Sequence, residues 1–205
     1  MDTTHASSCI AFEGSRRIAR GPLAAVALRA KAAVDRGARG PVLIFDDPTS
    51  ALIEVDFRGT PADVAKRVAR LAGQVAGPGA ADATSPEPEL PRGPGRPRLG
   101  VVAREVTLLP RHWEWLGTQR GGASVALRQL VDEARRANEG ADRVRRAQDA
   151  AYRFMSAMAG DRPGFEEATR ALFAGKRKHF DQLVADWPAG VREHARTLAT
   201  RALGG

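Results

Sequence analysis

The spacing of apolar and polar residues changes period several times along the chain, and each change marks a predicted element. Cys9-Ile10-Ala11-Phe12 and Arg17-Ile18-Ala19 read as short strands on either side of a Gly14-Ser15 turn. After Pro22 the period lengthens. Leu23, Val26, Ala27, Ala30 and Val34 recur at helical spacing, which predicts an amphipathic helix opened by the proline. Pro41-Val42-Leu43-Ile44-Phe45 is a continuous apolar run, read as a buried strand, and Asp46-Asp47-Pro48 turns the chain. From Leu52 the residues alternate, with Ile53, Val55 and Phe57 on one face and Glu54 and Asp56 on the other. That predicts a half-exposed strand forming a hairpin with the run before it. Thr60 as N-cap and Pro61 at the first helical position open a helix whose apolar face is Val64, Val68 and Leu71. The order ββα thus occurs twice, a weak internal duplication, within an N-terminal α+β domain of residues 1–75.

Residues 76–98 lose the pattern. They are rich in Gly, Pro, Ala and polar side chains and bury too little apolar surface to order, so a disordered linker is predicted. The linker turns from acidic (Asp82, Glu87, Glu89) to basic (Arg92, Arg96, Arg98). Residues 99–138 read as one strand over 104–109, closed by Pro110, and two helices, from Arg111 to about Gln119 and from Ser124 to about Ala137. The C-terminal region, residues 139–205, reads as helices near 141–159, 163–186 and 188–203, separated by Asp161-Arg162-Pro163-Gly164 and Trp187-Pro188.

One strand and two helices cannot close a core alone. The pattern therefore predicts a symmetric homodimer in which two copies of the strand pair antiparallel. Val106, Leu108, Trp113, Leu116, Leu127, Leu130 and Val131 would form the shared core. Val106-Thr107-Leu108-Leu109-Pro110, followed by Trp113, Leu116 and Ala123-Ser124-Val125-Ala126-Leu127-Arg128, resembles ribbon–helix–helix proteins, nearest in pattern to ParD-type antitoxins. The resemblance covers about residues 102–137. It implies that Glu105, Thr107 and Leu109 face the major groove of DNA, flanked by Arg104 and Arg111, while Ser124 caps the second helix and its N–H groups grip a phosphate. Glu105 and Leu109 depart from the Arg, Lys, Asn or Gln usual on that face. Gly95-Arg96-Pro97, with Arg92 and Arg98 beside it, resembles an AT-hook, which implies an extended arm in the narrow minor groove of A·T-rich DNA. Here Pro94 precedes Gly95, and the preceding arginine is displaced to Arg92.

Charge points the same way. The chain carries +8 formally, with a pI near 10.8, a balance suited to a polyanion. Residues 92–160 hold 13 basic and 7 acidic side chains, so the excess sits where the motifs sit. Aromatics at 5% and abundant Ala favour small helical cores over one large sheet. The single Cys9 excludes an internal disulfide and a thiolate-rich zinc site. No signal peptide and no membrane span are predicted, and the chain is expected to be cytoplasmic and nucleoid-associated.

The remaining chemistry is sparse. His5, His112, His179 and His194 match no metal-ligand spacing, and Asp46, Asp47, Glu54 and Asp56 read as exposed turn and strand carboxylates. Trp115 is expected partly exposed or against the C-terminal helices. Leu172, Phe173, Phe180, Leu183 and Trp187 are expected in a core, and Lys176-Arg177-Lys178 on a solvated face. No phosphate-binding loop and no nucleophile–base set occurs, so neither an enzyme nor a cofactor is predicted. Arg-Arg-Ile-Ala at 16–19, Phe-Asp-Asp at 45–47 and Arg-Glu-Val-Thr-Leu-Leu-Pro-Arg-His-Trp-Glu-Trp-Leu at 104–116 resemble an uncharacterised bacterial family, a resemblance that implies no known activity. The function expected from the sequence is a dimeric DNA-binding protein, a transcriptional regulator or nucleoid-associated protein. The alternative is an antitoxin-like module that binds a protein partner through its C-terminal helices.

Overall fold

The computed structural model describes residues 8–75, 102 and 104–204. The elements are β1 (Ser8–Glu13), β2 (Arg16–Pro22), α1 (Leu23–Asp35), β3 (Val42–Asp46), α2 (Pro61–Val75), α3 (Pro110–Gly117), α4 (Gly122–Ala159), α5 (Phe165–Phe173), α6 (Arg177–Leu183) and α7 (Ala189–Leu203). They fall into two compact units, one from Met1–Pro78 with Gly140–Gly205 and one from Gly79–Glu139. The fold is α+β.

The first unit is built on an antiparallel sheet of order β2-β1-β3. Its central strand is apolar on both faces, and each face has its own cover. Cys9 and Ala11, with Ile44 from β3, pack against Val26, Ala27 and Ala30 of α1 and Val64 and Val68 of α2. Ile10 and Phe12, with Phe45, point the other way, into a core completed by Phe154 and Met155 of α4 and by α5, α6 and α7. The period-two alternation of the strands therefore divides two cores between two helical layers. Phe12, Phe45 and Phe154 meet with ring centroids 5.4 to 6.2 Å apart, two of the three pairs edge to face. Backbones approach closely where α7 begins. A Cβ on Gly190 would lie 2.6 Å from the Ser15 carbonyl oxygen and 3.1 Å from the Arg17 nitrogen.

Local chemistry fixes the element ends. Thr60 and Asp63 cap α2 reciprocally: the Asp63 carboxylate accepts from Thr60 N at 2.9 Å, and Asp63 N donates to Thr60 Oγ1 at 3.3 Å. Gly37, at φ +75°, stops α1.

Several elements differ from the pattern, among them the strand expected over 104–109, which does not form among the described residues. Residues 52–57 form no strand: Leu52 makes a single bridge to Phe45, and Ile53 N donates to Ile44 O at 2.8 Å. Beyond that point side chains replace a ladder. The Asp56 carboxylate binds Arg58, and Arg67 donates to the Asp56 and Arg58 carbonyls. Ile53, Val55 and Phe57 still half-bury against the sheet core, so the alternation located a face but not a strand. The helices expected near 124–137 and 141–159 are one, because nothing between them breaks a helix. Asn138 Nδ2 donates back to Ala134 O at 2.8 Å and Gly140 is carried inside the helix. The helix expected over 163–186 is instead α5 and α6, parted at Gly175, which takes φ +72°. Finally, Asp47 is buried rather than exposed, whereas Phe173, expected in the core, is 49% exposed.

Candidate functional site

The second unit holds most of the sequence-predicted site. Residues 104–109 run without secondary structure up to Leu109, whose extended backbone (φ −66°, ψ 151°) caps α3. Pro110 opens α3 because a first-turn residue needs no N–H donor, and His112 N donates to Leu109 O at 2.8 Å. Gly121 and Gly122, at φ +86° and +75°, carry the turn into α4. Ser124 is therefore the third residue of α4 rather than its cap, and it is exposed.

The predicted groove-facing residues Arg104, Glu105, Thr107, Leu109 and Arg111 are all exposed. Arg104, Arg111, Arg120 and Arg128 are exposed and hold no ion pair among the described residues. Of the predicted dimer core, Leu116 is buried, Leu108 and Leu127 are half-buried, and Val106, Trp113, Leu130 and Val131 are exposed. With Leu109 and Trp115 also exposed, the described residues of this unit turn more large apolar side chains to water than inward. Among the described residues, 104–109 have no ladder partner. Arg92, Gly95, Arg96, Pro97 and Arg98 lie outside the described residues, as does the linker.

The first unit contains a polar cluster that the sequence pattern missed. Arg20 of β2 donates to Asp47 Oδ2 at 2.6 Å, and Arg201 of α7 donates to the Asp47 carbonyl at 2.8 Å and to its carboxylate at 3.3 Å. Burial pushes the Asp47 carboxyl up, but hydrogen bonds and charge from Arg20 and Arg201 outweigh it and hold it below the usual range. Beside this cluster His194 is buried, its ring 4.5 Å from that of Phe154 and 5.9 Å from that of Phe12. Its Nε2 has no hydrogen-bond partner. Burial is the main force driving its pKa down to about 4; Asp47 opposes this and Arg201, Arg20 and Arg17 add to it. Asp47 is committed to two guanidiniums and His194 is a neutral ring in an aromatic cage, so together they tie β2, β3 and α7. Asp47 does lie in the turn expected at Asp46-Asp47-Pro48, but the sequence pattern shows none of its partners there.

Two other surfaces stand out. Glu13, Gly14, Arg16, Arg39 and Gly40 line an open cleft in which Glu13 pairs with Arg16 and accepts from Arg39 N. On the C-terminal helices Tyr152 lies 6.0 Å from Phe173 and 6.4 Å from Phe165, an aromatic patch with Tyr152 and Phe173 exposed. Lys176 and Lys178 are solvated as expected, while Arg177 pairs with Asp181. Among the described residues no group of three His, Cys, Asp or Glu could hold a metal ion, and no helix is long and apolar enough to cross a membrane.

No curated protein and no solved structure matches the chain. One family model does, over residues 8–199, and it spans the sheet, both helical layers and the second unit. The chain belongs to the family described as an uncharacterized protein conserved in bacteria (DUF2239).

Proposed function

We propose that this protein is a dimeric DNA-binding protein, a transcriptional regulator or nucleoid-associated protein. Two copies of residues 104–109 would pair as a ribbon for the major groove, and the Gly95-Arg96-Pro97 arms would take the adjacent A·T-rich minor groove. The observation that carries the proposal is the composition of the second unit's surface. Val106, Leu109, Trp113, Leu130 and Val131 are exposed, as are Arg104, Arg111, Arg120 and Arg128, which hold no ion pair among the described residues. Apolar side chains of that size left in water favour a protein partner, and unpaired guanidiniums favour phosphate. Pairing brings two arms to one duplex and raises their local concentration.

Two variants test it. Val106→Asp is expected to abolish dimer and DNA binding together, because it places a charge where two strands meet. Arg96→Ala is expected to leave the dimer intact and reduce the preference for A·T-rich duplex. Unchanged mass and unchanged binding in both would overturn the proposal.

A second function is favoured by the aromatic patch of Tyr152, Phe165 and Phe173: an antitoxin-like module whose C-terminal helices bind a protein. A stable partner recovered with the wild type and lost with Tyr152→Ala/Phe173→Ala, in a protein that does not bind DNA, would establish it instead.

A further inference from the structure

Along α4 the residues Leu127, Leu130, Ala134, Ala137, Ala141 and Val144 recur at alternating steps of three and four, the a and d spacing of a coiled coil. The same line continues through Gln148, Ala151 and Met155, and there it is covered. Ala151 and Met155 are buried, and Gln148 Nε2 donates to Leu172 O at 3.2 Å. Before that point it is open: every residue from 128 to 141 is exposed, with Leu130 at 43% and Val131 beside it at 55%. A helical stretch of that length with no packed face is marginal in water.

We propose that α4 pairs with α4 of a second copy of this chain, antiparallel, along residues 127–144. Sizes along the line are self-complementary in that direction. Leu127 meets Val144 of the second copy, Leu130 meets Ala141, and Ala134 meets Ala137, and each layer recurs by the two-fold axis. Bulk is then spread over both ends, with the two Ala layers at the centre. A parallel pair would stack leucines at one end and three successive Ala layers after them, which cannot keep one interaxial distance. The occupant that fits is therefore the chain itself. The seam rests on the dimer of the proposed function, which the ribbon holds, and adds a second contact between the same two copies that needs no DNA.

The test uses two full-length variants, Leu130→Cys and Ala141→Cys, at positions exposed in the single chain. The native Cys9 is buried and its thiol is pushed up to about 11, chiefly by burial, so oxidised wild type is the control. The variants are mixed under reducing conditions and then oxidised. Antiparallel pairing brings residue 130 opposite residue 141, within disulfide reach, and holds two copies of residue 130 about 16 Å apart along the axis. A mixed disulfide dimer at least roughly tenfold above either variant oxidised alone is expected. Self-linking of each variant without the mixed species would mean a parallel pair and would overturn the seam. No cross-link, with light scattering giving the dimer mass for wild type, would overturn the seam while leaving the dimer. A monomer mass would overturn both.

Discussion

His194 makes the folded protein sensitive to mild acid, and the size of the effect follows from its surroundings. The ring is 3% exposed, packs on Phe154 and Phe12, and offers an Nε2 with no acceptor or donor opposite it. Its pKa falls from 6.5 to about 4, mainly because burial disfavours the imidazolium. Between those values the unfolded chain binds a proton that the folded chain does not. Stability from this group is therefore fully present above pH 6.5 and is lost as pH falls toward 4. By pH 4.5 the loss comes to roughly 2–3 kcal/mol. The carboxyls of Glu13, Asp47, Asp56 and Asp63 are all held below their usual range, so their contributions decline mostly at more acid pH and do not mask it. His194→Leu removes the titration while keeping an apolar side chain of similar bulk, at a cost within about 1.5 kcal/mol at pH 7. Urea unfolding followed by circular dichroism at pH 7 and pH 4.5 reads both values. The wild type should lose roughly 2–3 kcal/mol more than the variant over that interval. Equal losses would refute the account and mean that the folded imidazole takes a proton as readily as the free one.

Other substitutions test the packing. Phe154→Ala removes the ring shared by the sheet and the C-terminal helices and should cost about 3–5 kcal/mol in denaturant unfolding, in a single transition; two separate transitions would mean that the two do not share a core. Asp47→Asn leaves Arg20 and Arg201 without their carboxylate and should cost roughly 2 kcal/mol, the part-exposure of both arginines lowering it from the fully buried case. Gly190→Ala places a Cβ against the Ser15 carbonyl and should lower the melting temperature. Gly140→Ala meets nothing within 4 Å inside a helix and should raise stability by about 0.5–1 kcal/mol. Melting shifts of the same sign in the two glycine variants would contradict these backbone placements.

The strands and the first helix were legible because they carry their own periods. In β1 even the two-sided burial was written locally: Cys9 and Ala11 face one way, Ile10 and Phe12 the other, and none is polar. What covers the second face was not legible, since Phe154 and His194 lie far along the chain and no local pattern points to them. The segment after Leu52 failed for a different reason. Its alternation reports burial of Ile53, Val55 and Phe57, but the choice between ladder and loop is made by Asp56, Arg58 and Arg67, whose bonding is tertiary. Asp47 is the turn residue the sequence indicates, but its burial was not legible because its partners come from β2 and α7. In the second unit the sequence located α3 and the start of the following helix, but it placed the cap at Ser124, which lies inside α4 after Gly121 and Gly122 turn the chain at positive φ. The arm from Arg92 to Arg98 was legible only as chemistry and lies outside the described residues.

The measurement that bears most directly on the proposed function is a salt-series binding titration of the full-length protein. Fluorescently labelled A·T-rich and G·C-rich duplexes would be compared across ionic strength. The proposal expects binding at low salt, an affinity that falls linearly on logarithmic axes as salt rises, and tighter binding to the A·T-rich duplex. No binding to either duplex at low salt would contradict it and turn attention to the aromatic patch on the C-terminal helices.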